Sequence, residues 1–130
     1  MKRILFIEDK PEIKLDIVLL LLNRENLSFE YEVAKSMNTA KRYLADQSNQ
    51  VDLVVTDLGL PEFDDGSIYE STKGMDVFYY LKRFKRDVPV IVYSSTFVPN
   101  FAERTKENRE VKKTDDIFTL RDMLLSFLKE

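Results

Sequence analysis

Short strand-like runs alternate with longer amphipathic segments along the chain, and this alternation predicts the elements of the fold. The runs are rich in β-branched and aliphatic side chains and occupy residues 4–7, 29–34, 51–55 and 88–93, followed by a brief charged strand at 109–113. The segments between and after them carry apolar residues at helical spacing. The predicted order is therefore βαβαβαβαβα.

The first helix shows how the apolar spacing is used to predict a buried face. Pro11 suits the first turn of a helix, because its missing N–H is not needed there. Ile13, Ile17, Leu20 and Leu21 recur at helical intervals after it. We predict that these four side chains face the core.

Right-handed crossovers between parallel strands place helices on both faces of one sheet. We therefore predict an α/β fold with a doubly wound, five-stranded parallel sheet in the flavodoxin-like order 2-1-3-4-5. One domain over residues 1–130 accounts for the length, which leaves no room for a second domain. Residues 58–73 lack a regular pattern, and we expect an extended loop there.

The composition narrows the chemistry that such a domain can perform. The chain has no Cys and no His, so thiolate nucleophiles, Cys/His zinc sites and Ser-His-Asp triads lack an essential atom. The net charge of −3 gives no basic excess, so we expect no direct nucleic-acid partner. The longest strictly apolar run, 17–22, is too short to span a bilayer, and we expect a cytoplasmic protein without membrane contact.

Polar side chains lie at the carboxyl ends of four predicted strands. Glu8 and Asp9 follow the first strand, and Asp57 follows the third. Ser94 follows the fourth, and Lys113 ends the fifth. In the predicted strand order all of these ends meet at one edge of the sheet, where doubly wound folds bind their ligands.

Three of these groups are carboxylates that the predicted order gathers at the switch point between strands one and three. Two unit charges about 4 Å apart repel by about 4 kcal/mol at an effective dielectric of about 20. Carboxylates that close require a cation, and hard oxygen ligands suit Mg²⁺. The sequence therefore predicts a magnesium site.

Taken together, the segments ILFIEDKPE, VVTDLGLP, VPVIVYSS and VKKT resemble a response-regulator receiver domain of two-component signalling, of the stand-alone type without an output domain. The resemblance covers nearly the whole chain. It implies that Asp57 is the phosphoacceptor and that Glu8, Asp9 and Asp57 bind Mg²⁺, together with the backbone carbonyl of Gly59.

The resemblance also implies that Ser94 and Lys113 bind the phosphoryl oxygens. Lys112 is the alternative to Lys113. We prefer Lys113, because receivers usually have an aliphatic residue two positions before this lysine and a leucine seven positions after it. Val111 and Leu120 match that spacing.

By resemblance, the protein is a phosphorelay switch that changes a partner-binding surface when Asp57 is phosphorylated. Its donor is a histidine kinase or a histidine phosphotransfer protein, and its downstream partner is a protein effector. The implied catalysis is limited to its own aspartyl phosphorylation and dephosphorylation. Two alternatives stay open: a degenerate receiver acting as an interaction module, and an independent phosphatase, which is disfavoured because Gly59 stands where a second aspartate is needed.

The sequence departs from the receiver pattern in three places. Gly74 resembles the glycine that opens the third helix, so the loop before it carries extra residues, which either form an inert insertion or gate access to Asp57 and select the partner. The stretch 94–113 is shorter than usual, and Glu110 replaces the usual aromatic residue. No ring reorientation can therefore report phosphorylation at that position.

Overall fold

A computed structural model describes residues 1–130 as a parallel sheet with helices on both faces. The strands are β1 (Arg3–Ile7), β2 (Glu30–Ala34), β3 (Leu53–Thr56), β4 (Leu60–Pro61), β5 (Tyr69–Glu70), β6 (Val90–Tyr93) and β7 (Val111–Thr114). The helices are α1 (Pro11–Asn23), α2 (Met37–Ala45), α3 (Asp76–Arg83), α4 (Phe101–Thr105) and α5 (Ile117–Leu128), with a 3-10 turn at Lys73–Met75 before α3.

The five long strands pair in parallel in the order β2-β1-β3-β6-β7. This order confirms the predicted flavodoxin-like sheet, since β6 and β7 are the fourth and fifth strands of the prediction. Ile7 of β1 pairs with Thr56 of β3 and with Ala34 of β2. The carboxyl ends of these three strands are therefore level with one another.

The two faces of the sheet carry separate cores, because successive side chains on a strand point to opposite sides. On β1, Leu5 and Ile7 belong to the core covered by α2 and α3, whereas Ile4 and Phe6 belong to the core covered by α1 and α5. All four side chains are buried. None of the helices combines the length and the apolar character needed to cross a membrane.

The predicted buried face of α1 is wrong. Ile13, Ile17 and Leu20 are 59%, 51% and 56% exposed, and Leu21 is only half-buried. The side chains that reach the core are Leu15, Val18 and Leu22. Because the helix has six consecutive apolar residues at 17–22, several stripes satisfy helical spacing, and the contact with the sheet and α5 selects among them.

The segment 58–73, where we expected an extended loop, consists mostly of turns and bends, and it also contains a short antiparallel hairpin that the sequence did not predict. Leu60 pairs with Glu70 and Pro61 with Tyr69. Strands of two residues are too short to show an alternating pattern, so the sequence carried no signal for them.

The hairpin is fastened to the amino end of α2. Asp64 Oδ1 accepts hydrogen bonds from the hydroxyls of Ser36 (2.6 Å) and Thr39 (2.7 Å). The backbone N–H of Asn38 donates to the carbonyl of Glu62 at 2.8 Å. These three bonds hold the insertion against the domain, next to the strand end that carries Asp57.

Candidate functional site

Three carboxylates meet at the carboxyl ends of β1 and β3. Glu8, Asp9 and Asp57 each offer an oxygen within 4.8 Å of the other two. Glu8 and Asp57 are buried, and Asp9 is half-buried. The backbone brings them together, because the N–H of Asp57 continues the β-ladder by donating to the carbonyl of Ile7 at 3.0 Å.

Both carboxylate oxygens of Asp57 have partners. The backbone N–H of Leu58 donates to Oδ1 at 2.6 Å, and the ammonium of Lys14 donates to Oδ2 at 2.7 Å. Lys14 Nζ also lies 3.9 Å from Oε2 of Glu8. The ammonium therefore bridges the two buried carboxylates.

Lys14 was not among the site residues predicted from the sequence, although a signal was present. The residue is in the first turn of α1, which begins directly after the acidic pair. Helical side chains lean towards the amino end of their helix, so a lysine at this position points back to the preceding strand end. A basic residue one turn after the acidic pair was thus a candidate partner for Asp57.

The electrostatics of the cluster favour a cation. Burial raises the pKa of Glu8 to about 7, and the nearby charge of Asp57 also raises it. The hydrogen bond that the Lys10 N–H donates to Glu8 lowers this pKa, but by less than burial raises it. Burial lowers the pKa of the Lys14 ammonium, but the hydrogen bond and charge of Asp57 outweigh it, so that pKa is raised overall. Positive charge is thus stabilised beside Asp57.

Ser94 and Lys113 lie together at the same edge of the sheet. Ser94 is buried just after β6, and its hydroxyl oxygen accepts from Thr96 N–H at 3.1 Å. Lys113 Nζ donates to the backbone carbonyl of Ser94 at 3.1 Å. Lys112, its neighbour on β7, instead pairs with Glu110 at 3.3 Å.

Two glycines allow close packing around Asp57. A Cβ on Gly59 would lie 2.2 Å from the hydroxyl oxygen of Tyr69, so the hairpin side chain rests directly on Gly59. A Cβ on Gly74 would lie 1.9 Å from the carbonyl oxygen of Asp57. The binding of a metal by the Gly59 carbonyl stays a prediction.

The donor atoms of the acidic cluster fit a hard divalent cation. All three side chains supply carboxylate oxygens, which are the ligands that Mg²⁺ and Mn²⁺ prefer. Mg²⁺ commonly uses one or two carboxylates and keeps several waters, so three neighbouring carboxylates suffice. The cluster is therefore consistent with divalent metal binding.

No family model matches the sequence, and no curated protein matches it. Solved structures do match. The chain resembles a response regulator receiver domain protein from Clostridium thermocellum at 22% identity and a TM-score of 0.69, covering 99% of this chain and 95% of that one. It resembles the response regulator TrrA from Thermotoga maritima, solved in complex with Mg²⁺-BeF, at 22% identity and a TM-score of 0.66, covering 98% and 100%.

A third match is the Mn²⁺-bound form of the response regulator Rcp1, at 20% identity and a TM-score of 0.69, covering 97% of this chain and 91% of that one. These matches span nearly the whole chain, and they agree with the observed strand order. The chain therefore has the fold of response-regulator receiver domains, which confirms the resemblance predicted from the sequence at the level of fold.

Proposed function

We propose that this protein is a response-regulator receiver that accepts a phosphoryl group on Asp57 and binds Mg²⁺ at Glu8, Asp9 and Asp57. The observation that carries the proposal is the acidic cluster at the switch point of a receiver fold. Ser94 and Lys113 lie at the same edge of the sheet and support it. The Gly59 carbonyl is the proposed fourth protein ligand of the metal.

The proposed reaction is phosphoryl transfer to a carboxylate. An oxygen of Asp57 forms a bond to phosphorus, and the phosphorus–nitrogen bond of a donor phosphohistidine breaks, so its electron pair returns to the imidazole. A carboxylate needs no general base, since it has no proton to lose before it attacks. When bound, the metal ion neutralises the charge on the phosphoryl oxygens.

Ser94 and Lys113 are the proposed donors to the transferred group. The Ser94 oxygen already accepts from Thr96 N–H, which leaves its own hydrogen free to donate. Lys113 needs only to exchange one carbonyl partner for a phosphoryl oxygen, a charge-assisted and therefore stronger hydrogen bond. This exchange would pull the segment after β6 towards Asp57 and alter the partner-binding surface.

The proposed partners follow from the same chemistry. The chain has no histidine, so the phosphohistidine must come from a histidine kinase or a phosphotransfer protein. The reader of the phosphorylated state is proposed to be a downstream protein effector, and the location the cytoplasm. Catalysis is proposed to be limited to phosphorylation and dephosphorylation of Asp57 itself.

The test is incubation with acetyl phosphate and Mg²⁺, followed by intact-mass measurement. We expect one labile phosphoryl adduct on the wild type and none on Asp57→Asn. The control Asp87→Asn should carry a normal adduct, because Asp87 is exposed and lies before β6, at the end of that strand opposite to the site. Chelating the metal should abolish the adduct. An unmodified wild type would favour the degenerate interaction module, and an adduct on Asp57→Asn would refute the assignment.

A further inference from the structure

Lys14 contacts the proposed phosphoacceptor but has no part in the function proposed above. Its side chain is 43% exposed, whereas those of Glu8 and Asp57 are 9% and 8% exposed. The buried carboxylates are held by strand ends, while the lysine reaches them from the surface through a flexible stem. Lys14 is therefore the member of this group that can move away without disturbing the sheet.

The contact of Lys14 conflicts with the proposed reaction. Oδ1 of Asp57 accepts from Leu58 N–H, and a carboxylate oxygen with a second lone pair can still bind a cation. Oδ2 is then the oxygen available to attack phosphorus, and the Lys14 ammonium occupies it at 2.7 Å. Both the nucleophile and the neighbouring Glu8 are thus engaged by one positive charge.

We propose that Lys14 is a built-in counter-ion that competes with the divalent cation for the acidic cluster and thereby sets its cation affinity and its readiness for phosphorylation. The inference rests on the proposed function, because it assumes that this cluster is the metal site. The ammonium and the metal ion cannot both lie against Asp57 without like-charge repulsion at short range. Metal binding therefore requires Lys14 to swing into solvent.

The size of the effect depends on the fraction of molecules in which the contact is formed. The apparent affinity for a ligand falls in proportion to the fraction of molecules that can bind it. If Lys14 covers Asp57 about nine-tenths of the time, the metal binds roughly tenfold more weakly than to the free cluster. Removing the ammonium should therefore raise the affinity of the cluster for the metal by about that factor.

The experiment is calorimetric titration of the full chain with MgCl₂. Lys14→Met removes the charge and keeps the length of the stem, and Lys14→Arg keeps the charge. Lys10→Met is the matched control, because Lys10 is next to Asp9 but its ammonium makes no contact with the cluster. Circular dichroism establishes that every variant is folded.

We expect Lys14→Met to bind Mg²⁺ about tenfold more tightly than the wild type. Lys14→Arg should stay near the wild type, and Lys10→Met should change by less than about threefold, since only screened charge is lost. Equal affinities for wild type and Lys14→Met, with binding lost in Asp9→Ala, would overturn this inference and leave the proposed function standing. Equal tightening in Lys14→Met and Lys10→Met would also overturn it, and the absence of saturable binding in every variant would overturn both proposals.

Discussion

Gly74 shows how the site depends on single backbone positions as well as on charged side chains. Its N–H donates to the carbonyl of Leu58 at 2.9 Å, and its α-carbon faces the carbonyl of Asp57. A methyl group there would lie 1.9 Å from that oxygen. The 3-10 turn before α3 therefore holds the peptide that carries the proposed phosphoacceptor in place.

We expect Gly74→Ala to destabilise the protein by about 1–3 kcal/mol, because the added methyl group forces the backbone of Asp57 to move. Phosphorylation should slow by roughly tenfold or more, since small displacements of a nucleophile have large effects on rate. Urea unfolding and phosphorylation kinetics measure the two effects.

The control for this substitution is Gly66→Asn. Gly66 has a φ of +89°, a Cβ added there would meet no heavy atom within 4 Å, and asparagine tolerates left-handed backbone. The substitution should cost less than about 1 kcal/mol and leave phosphorylation unchanged. Normal phosphorylation in Gly74→Ala would show that this glycine does not position Asp57.

At the scale of elements, the hairpin β4–β5 is the part of the fold that the sequence did not predict, because it lies within the segment where we expected an extended loop. Tyr69 rests on Gly59, and Asp64 holds the hairpin to α2. Phe63, Ile68 and Tyr69 remain exposed beside the site. Gating of Asp57 or selection of a partner by this element stays a prediction.

The attachment of the hairpin to α2 should depend on pH. The hydroxyls of Ser36 and Thr39 lower the pKa of Asp64 below its ordinary value of 3.8. A depressed folded pKa stabilises the protein above pH 3.8, and that contribution is lost as the pH falls through the folded pKa. The destabilisation caused by Asp64→Ala should therefore be full at about pH 7 and shrink below pH 3.8.

Hydrogen exchange locates this effect. In Asp64→Ala at neutral pH, exchange of the Asn38 amide should accelerate, because its partner Glu62 belongs to the released hairpin. Asp65→Ala is the control, since the Asp65 carboxylate accepts only from Ser67 within the hairpin. Unchanged protection of Asn38 in Asp64→Ala would contradict the proposed anchor.

At the scale of the whole molecule, the position of the site followed from the sequence because it depends on topology. Glu8, Asp57 and Ser94 each follow an apolar strand, and the order β2-β1-β3-β6-β7 brings those ends to one edge. Strand periodicity and crossover handedness suffice to predict that arrangement. The roles of these residues in phosphorylation stay predictions.

Features decided by tertiary contact were not predictable in the same way. The apolar residues of α1 allow several buried faces, and only packing on the sheet selects Leu15 and Val18 over Ile13 and Ile17. The place of Lys14 early in α1 made it a candidate partner for the strand-end carboxylates, but its contact with Asp57 in particular depends on how α1 packs on the sheet. Such contacts join positions far apart in sequence and leave no periodic signal.

Metal binding at the strand ends should stabilise the entire domain, because a ligand that binds only the folded state shifts unfolding by mass action. At a Mg²⁺ concentration about ten times the dissociation constant, we expect the free energy of unfolding to increase by about 1.4 kcal/mol and the Tm to rise by about 5 °C. Thermal unfolding with and without Mg²⁺ measures it. Asp9→Ala should lose most of the rise, and an equal rise in that variant would place the metal elsewhere.

Locating the phosphoryl group on the wild-type chain tests the proposed role of Asp57 most directly. The protein is treated with acetyl phosphate and Mg²⁺ and then reduced with borohydride, which converts a phosphorylated aspartate into homoserine. Peptide sequencing by mass spectrometry then locates the homoserine. We predict homoserine in place of Asp57 and of no other aspartate, and only when Mg²⁺ is present. Homoserine at another position, or none in a folded and metal-loaded sample, would contradict that role.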